Sequence, residues 1–373
     1  MIKVFIAPRR YVQGVGVLAD IGRYVAPLGK RALVAWGPVV SKMFAGPVAK
    51  SFEEHGIELI SFPFSGECDR GQIGLGIEKA KAENADVVIG MGSGKAIDLG
   101  KAVAMGVGAK YVSAPTIASS DAPTSAGTVY YTPDGIVDGW ERWPVNPDLV
   151  LVDTQVIVNG PVRWLVSGIG DGLATWFEAE ACFKAREKTP AGGVAMMSAL
   201  ALARLCYDTL MEYGVAARMD AAKHVVTPAV EKVIEANTLL SGLGFENGGL
   251  ASAHAIGSVL TRLEATKPYS HGEKVAFGLE SQLCLDEDIS VGERLAVVDF
   301  MVAVGLPVTL EELGLGNITS EELMDLARNV CDPGQSTHNH AFSVTPFDLY
   351  SAIVAADTLG HSRKALSRKA RLG

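Results

Sequence analysis

Short apolar runs, each closed by a glycine or proline, punctuate the first 155 residues. Residues 32–36 (Ala-Leu-Val-Ala-Trp) end at Gly37-Pro38, residues 57–62 follow a helical stretch, and residues 85–90 run into a glycine cluster. Residues 110–115 and 149–153 repeat the pattern, and residues 1–8 also read as a strand. Between the runs the apolar spacing is helical, as in 96–107. Near-continuous apolar strands alternating with helices predict a parallel sheet buried on both faces, a Rossmann-like α/β domain. After about residue 160 strand-like runs stop. Helical periodicity takes over in 171–185, 191–212, 220–243, 247–262, 272–286, 291–304 and 346–360. Pro161 suits the first turn of a helix. The chain therefore reads as an α/β domain over 1–160 and an all-α domain over 161–373. The tail 361–373, with five Lys and Arg residues, reads as a solvated or frayed end.

Composition narrows the classes. A chain of 373 residues with 48% hydrophobic and 20% charged residues can bury a large core. Its net charge of −9 argues against nucleic acid as a partner. The longest uncharged apolar-rich stretch, 189–203, is too short and glycine-broken to span a bilayer. The start lacks the features of a signal peptide, so a cytoplasmic protein is expected. The five cysteines are scattered without a CxxC pair, which suggests neither a disulfide framework nor a thiolate metal site.

Two strand ends carry candidate chemistry. Gly90-Met-Gly92-Ser93-Gly94-Lys95-Ala96 joins a strand to a helix, where backbone N–H groups can approach a pyrophosphate closely. It is neither the GxGxxG fingerprint, because Lys95 replaces the third glycine, nor a P-loop. A tight strand-to-helix connection without a ligand would have the same sequence. The next strand ends in Pro115-Thr116-Ile117-Ala118-Ser119-Ser120-Asp121-Ala122-Pro123-Thr124-Ser125-Ala126-Gly127, rich in the small residues that suit a cofactor crevice at the carboxyl edge of a sheet. Asp121 could equally cap the following turn.

Further along, His254 and His271 lie 17 residues apart in small-residue surroundings, downstream of Asp171 in a small-residue turn, Gly168-Ile-Gly-Asp-Gly172. Two imidazoles and one carboxylate can hold a divalent metal with a coordination position left open, as catalytic zinc requires. The single-residue alternatives are a satisfied core histidine for His254, a helix start capped by Ser270 for His271, and a helix N-terminus for Asp171. His338 and His340 sit in a polar, flexible-looking stretch, while His55, His224 and His361 carry no constellation. Glu273 and Lys274 are expected to pair or to face solvent.

Taken together, Gly92-Ser-Gly-Lys95-x-x-Asp98, the 115–126 run, Gly168 to Glu178, Gly248 to His254 and His271 to Gly278 resemble the glycerol dehydrogenase family. This is the polyol branch of the iron-containing alcohol dehydrogenase and dehydroquinate synthase-like superfamily, and the likeness runs from about Tyr11 to Gly360. It implies a dehydroquinate synthase-like fold, NAD or NADP as cofactor, a polyol substrate, a site in the cleft between two domains and a homo-oligomer, commonly an octamer. It implies Asp171, His254 and His271 as Zn²⁺ ligands, and Gly92, Ser93, Gly94, Lys95 and Ala96 at the pyrophosphate. Thr116, Ile117, Ala118, Ser119, Ser125, Gly127 and Tyr131 would meet the nicotinamide half. Asp121 would meet the substrate hydroxyls, with His254 at the substrate's edge. Iron-using relatives commonly place a histidine one turn after the aspartate; here that position is Thr175, which favours Zn²⁺.

Three departures stand out. Trp36-Gly37-Pro38 replaces the aspartate that usually accepts from the adenine ribose, which removes a repulsion against a 2′-phosphate; Gly37, Ser41 and Lys42 are then the candidates at that position, and NADP stands as an alternative to NAD. Ser93 sits within the glycine loop. Gly257-Ser258 and 335–343 look less typical near the expected pocket. A dehydrogenase acting on glycerol phosphate or a 2-oxo acid would need cations near the metal, for which Arg142, Arg163 and Lys267 are candidates. A dehydroquinate synthase-type lyase would need a basic patch at the metal motifs that the sequence lacks.

Overall fold

The computed structural model describes residues 1–372. Its strands are β1 (Tyr11–Gly14), β2 (Arg31–Trp36), β3 (Glu58–Pro63), β4 (Val87–Gly92), β5 (Lys110–Pro115), β6 (Gly127–Tyr131), β7 (Val137–Arg142) and β8 (Leu149–Asp153). The helices of the first half are α1 (Ile21–Val25), α2 (Pro38–Glu54), α3 (Arg70–Ala82), α4 (Gly94–Val107) and α5 (Thr154–Asn159). Then follow α6 (Val162–Ala185), α7 (Met197–Ala221), α8 (Pro228–Glu235), α9 (Ser241–Gly248), α10 (Ser252–Leu260), α11 (His271–Leu285), α12 (Val291–Val304), α13 (Ser320–Val330) and α14 (Pro346–Leu372). This is the expected α/β part followed by a helical part.

Six strands form one all-parallel sheet in the order β1-β8-β5-β4-β2-β3. Alternation along β2 sends Ala32, Val34 and Trp36 to a core shared with Val48 and Phe52 of α2, and Leu33 and Ala35 to a second core with Ile73 of α3 and Leu99 and Val103 of α4. Both faces are thus covered, which is why these strands read as continuous apolar runs. The chain moves from β2 outward to β3 and then returns past β2 to β4. The strand order therefore reverses between β2 and β4, the position where open α/β sheets bind ligands at their carboxyl edge.

Several expectations are corrected. Residues 1–8 are not a strand: Lys3 forms an isolated bridge with Val194, and the sheet's edge strand is β1, paired with β8. The β6–β7 antiparallel hairpin was not anticipated. Residues 220–243 are not one helix: α7 ends at Ala221, and after a break come α8, a π-helical turn over Ala236–Leu240 and the start of α9. The tail is helical, since α14 runs to Leu372 with Arg363 bonded to Asp299 and Lys364 to Glu312, and over 361–369 its side chains are mostly solvent-exposed, as expected; Gly373 lies outside the described residues.

The chain forms two compact units from interleaved segments. One comprises Met1–Phe5, Val166–Met219 and Leu243–Gly373, the other Ile6–Leu165 and Asp220–Gly242. The segment 220–242 joins the sheet-bearing unit through polar contacts. Gln13 donates to Glu231 Oε2 at 2.7 Å, Thr154 to Glu231 Oε1 at 2.7 Å, and Asn237 to the carbonyls of Ala118 and Leu165 at 3.0 and 3.1 Å. No helix among the described residues is long and apolar enough to cross a membrane.

Candidate active site

In the helical unit, Asp171, His254 and His271 come from three different helices. Asp171 lies inside α6, so Gly168–Gly172 is not a turn. Gly170 serves packing instead. A Cβ on Gly170 would stand 2.5 Å from the Gly272 carbonyl oxygen, and one on Gly272 would stand 1.8 Å from that of Ser167. The backbones of α6 and α11 touch where Asp171 and His271 project. Gly278 does the same between α11 and α10, where a Cβ would lie 2.3 Å from the Ala253 carbonyl oxygen. His271 opens α11 behind Ser270, whose side chain forms a reciprocal capping box with Glu273.

One ligand atom from each of the three residues lies within 4.8 Å of the other two. His254 Nε2 and His271 Nε2 stand 3.3 and 3.4 Å from Asp171 Oδ1. Metal–ligand bonds of about 2.0–2.2 Å in a tetrahedron give ligand–ligand edges of about 3.3–3.6 Å. The residues therefore fit a divalent ion in both donor chemistry and spacing. Asp171 is buried while the His271 side chain is 43% exposed, so the cluster is reachable from the His271 side.

Glu178, two turns beyond Asp171 on α6, is fully buried and orients the site. Its Oε2 lies 2.5 Å from His254 Nδ1, and its Oε1 accepts from the backbone N–H groups of Ala251 and His254 at 2.8 and 2.9 Å. A proton on Nδ1 leaves Nε2 as the ligating atom. Burial acts to lower the His254 pKa, but the Glu178 and Asp171 carboxylates outweigh it and hold the imidazole well above its ordinary value. Glu178 received no role from the sequence. The signal was present: 171, 175 and 178 follow the i, i+4, i+7 spacing of one helix face. Thr175 is also buried, against Gly244 of α9, where a Cβ would lie 2.4 Å from Thr175 Cγ2.

The 335–343 stretch is not a flexible loop. Ser336 donates to the Ala251 carbonyl at 2.6 Å, Asn339 to that of Leu250 at 2.8 Å, and buried His340 shares a hydrogen bond with Ser252 Oγ at 2.8 Å. It braces the start of α10, the helix that carries His254. Gly257 packs α10 against Val275 of α11. Lys274 is buried rather than solvated, which lowers its pKa to about 8. The remaining histidines have partners outside the cluster: His55 bonds to the Ser51 carbonyl, His224 to that of Val158 and His338 to that of Cys331, while His361 lies 3.7 Å from Asp357. Arg142 and Arg163 are exposed, and Lys267 pairs with Glu264.

The other sequence-predicted residues lie in the sheet-bearing unit. β4 and β5 are adjacent with Gly92 beside Pro115, and the Thr116 N–H donates to the Gly92 carbonyl at 2.9 Å. The glycine loop and the 116–126 stretch thus leave the same edge of the sheet together. Gly92 has φ +147°, a value that favours glycine, and Ser93 is the N-cap of α4 with Gly94, Lys95 and Ala96 in its first turn. Lys95 Nζ meets Glu67 at 2.5 Å. In the second stretch Ala118, Asp121, Ser125 and Gly127 are buried, whereas Thr116, Ile117, Ser119 and Tyr131 are partly exposed. Ser241 donates to Asp121 Oδ2 at 3.2 Å. Trp36, at the end of the next strand, is buried with its indole N–H on Ser61; Gly37 caps α2, whose first turn carries no acidic residue and is followed by partly exposed Ser41 and exposed Lys42.

Comparison with known proteins places this arrangement. Residues 8–154 match the iron-containing alcohol dehydrogenase family. Glycerol dehydrogenase of Thermotoga maritima is 46% identical, covering 98% of this chain and 100% of that one. Glycolaldehyde reductase of Halobacterium salinarum is 44% identical over 96% of this chain and 98% of its own. The crystal structure of glycerol dehydrogenase from Schizosaccharomyces pombe superimposes with a TM-score of 0.93 at 37% identity, covering 98% and 93% of the two chains. Identity at this level over whole chains, on the same fold, makes the chain an alcohol dehydrogenase-type oxidoreductase that belongs to the glycerol dehydrogenase branch of the iron-containing alcohol dehydrogenase family.

Proposed function

We propose that this enzyme is a metal-dependent dehydrogenase that oxidises the secondary alcohol of glycerol, or a related vicinal diol, to the ketone with NAD or NADP as hydride acceptor. The observation that carries this reading is the convergence of Asp171, His254 and His271 to within 4.8 Å. A divalent ion held there supplies Lewis acidity, lowering the pKa of a substrate hydroxyl. Zn²⁺ is the ion the donor set favours, because Thr175 offers no fourth imidazole. His254 and His271 would present Nε2, with Glu178 fixing the His254 ring. Asp121, its carboxylate steadied by Ser241, would hold a second hydroxyl or receive the released proton.

In the sheet-bearing unit, Gly92, Ser93, Gly94, Lys95 and Ala96 would bind the pyrophosphate at the start of α4. Thr116, Ile117, Ala118, Ser119, Ser125, Gly127 and Tyr131 would hold the nicotinamide half. With Trp36 turned into the core, no carboxylate opposes a 2′-phosphate near Gly37, Ser41 and Lys42, which supports NADP use alongside NAD. A homo-oligomer, an octamer by family likeness, working in the cytoplasm completes the reading. The glycolaldehyde reductase relative supports a second one, reduction of a small hydroxyaldehyde at the same site.

A spectrophotometric screen tests both. NAD and NADP are offered with polyols, hydroxyaldehydes, 2-oxo acids and glycerol phosphate, alongside elemental analysis for zinc, iron and manganese. The expected result is polyol-dependent nicotinamide reduction with about one zinc per chain, lost together with the metal in His271→Ala. Full turnover by metal-stripped enzyme would defeat the proposal, and a strong NAD preference in kcat/KM would defeat the phosphate idea.

A further inference from the structure

The geometry points to Lys101 as a positioning residue, a buried anchor that sets the conformation of the 116–131 stretch and thereby the enzyme's hold on the nicotinamide half of its cofactor. Lys101 lies on α4 with its side chain 1% exposed. Its ammonium meets Asp98 at 3.3 Å, and its other contacts all fall on that stretch: the Ala122 carbonyl at 3.3 Å, Ser125 Oγ at 3.5 Å and the Gly127 carbonyl at 2.5 Å. Asp98 Oδ2 extends the clamp by accepting from the Val129 N–H at 3.0 Å. Burying an ammonium is costly unless every donor is used. Here two of the contacts are to backbone carbonyls, that of Ala122 in a segment with no ladder partner and that of Gly127 where β6 begins. From another side, Asn237 and Thr238 of the π-helical turn hold Ala118 and Thr124. Lys101 touches neither proposed substrate nor metal ligand, so its effect on turnover must pass through the loop.

This inference rests on the cofactor reading above, and its test separates the two. Full-length, metal-loaded Lys101→Met and the double variant Asp98→Asn/Lys101→Met are compared with wild type by amide hydrogen exchange and by steady-state kinetics. The double variant removes the stranded carboxylate, so it carries the measurement if the single one fails to fold. In each folded variant, exchange over 116–131 is expected to quicken and the dinucleotide KM to rise about tenfold, the scale of one charge-assisted hydrogen bond. Metal content and exchange over α6, α10 and α11, which Lys101 does not touch, should stay at wild-type values, a split that general loosening would not produce. Wild-type exchange and a dinucleotide KM within about twofold in Lys101→Met would overturn the inference, as would recovery of both in the double variant. If wild-type enzyme reduces neither dinucleotide, the functional reading fails, while exchange over 116–131 still decides whether Lys101 anchors the loop.

Discussion

The metal cluster and the 116–131 stretch bring functional groups together by different means. The cluster stands on regular helices whose approach is set by what is missing, the Cβ atoms of Gly170, Gly272 and Gly278. The stretch has little regular structure and is held by what is added, the buried polar side chains of Lys101, Asn237 and Ser241. Close packing fixes rigid elements to fractions of an ångström; hydrogen bonds from outside fix backbone that has no ladder of its own. The first arrangement should fail abruptly when crowded, the second by degrees as anchors are removed.

The largest effect is expected from Gly272→Ala. Its methyl would meet the Ser167 carbonyl oxygen at 1.8 Å, a backbone atom that cannot rotate away. Forcing α6 and α11 apart should cost about 3 kcal/mol or more and strip the metal, read by thermal unfolding and metal analysis. A normally stable, metal-replete variant would show that glycine packing does not set the cluster.

Glu178→Gln comes next. The amide keeps the shape of the carboxylate but not its charge toward His254, so metal affinity should fall about 10–100-fold with little change in fold. Competition with a chelator measures it, and unchanged affinity would reduce Glu178 to a helix brace.

Glu280 on α11 provides the contrast within the same unit. Neither of its carboxylate oxygens has a hydrogen-bond partner, and burial, then Asp357 and Glu312, push its pKa well above the usual carboxylate range. With the folded pKa raised, stability is fully present below the unfolded value and declines as pH climbs toward the folded one. Glu280→Gln should therefore raise Tm at pH 7 and leave it unchanged near pH 4; a loss at pH 7 would mean that the acid is needed where it stands. The smallest effect belongs to the loop. Ser241→Ala removes one of several supports, and kcat/KM for polyol should fall about three- to tenfold with dinucleotide KM unchanged, on the scale of one neutral hydrogen bond. A drop beyond about a hundredfold would place Ser241 in the chemistry.

How much of this the sequence disclosed follows from the same contrast. β2, β4, β5 and β8 were legible because both faces of a parallel sheet are buried. Asp171, His254 and His271 stood out because few residue types bind metal, and the fold brings the three together. The glycines at 168–172 were misread as a turn, because glycine spacing is the same whether the backbone bends or another helix presses on it. The β6–β7 hairpin was hidden because β7 is largely exposed and carries no apolar run. α13 escaped notice although Thr319 and Glu322 spell out a capping box ahead of it. Lys101 could not be read as an anchor at all, since two of its four partners are backbone carbonyl oxygens, which any residue type supplies.

The interleaving of the two compact units bears on how the polypeptide matures. While the ribosome is still adding residues 166–219, the six-stranded sheet already has all its strands, yet Ala118 and Thr124 lack the partners that arrive only with Asn237 and Thr238. A nascent chain released before about residue 242 would carry a finished sheet and an unfastened 116–131 stretch, so on the proposed cofactor reading splitting the gene at the apparent border near 160 should yield halves that bind dinucleotide poorly until they are recombined.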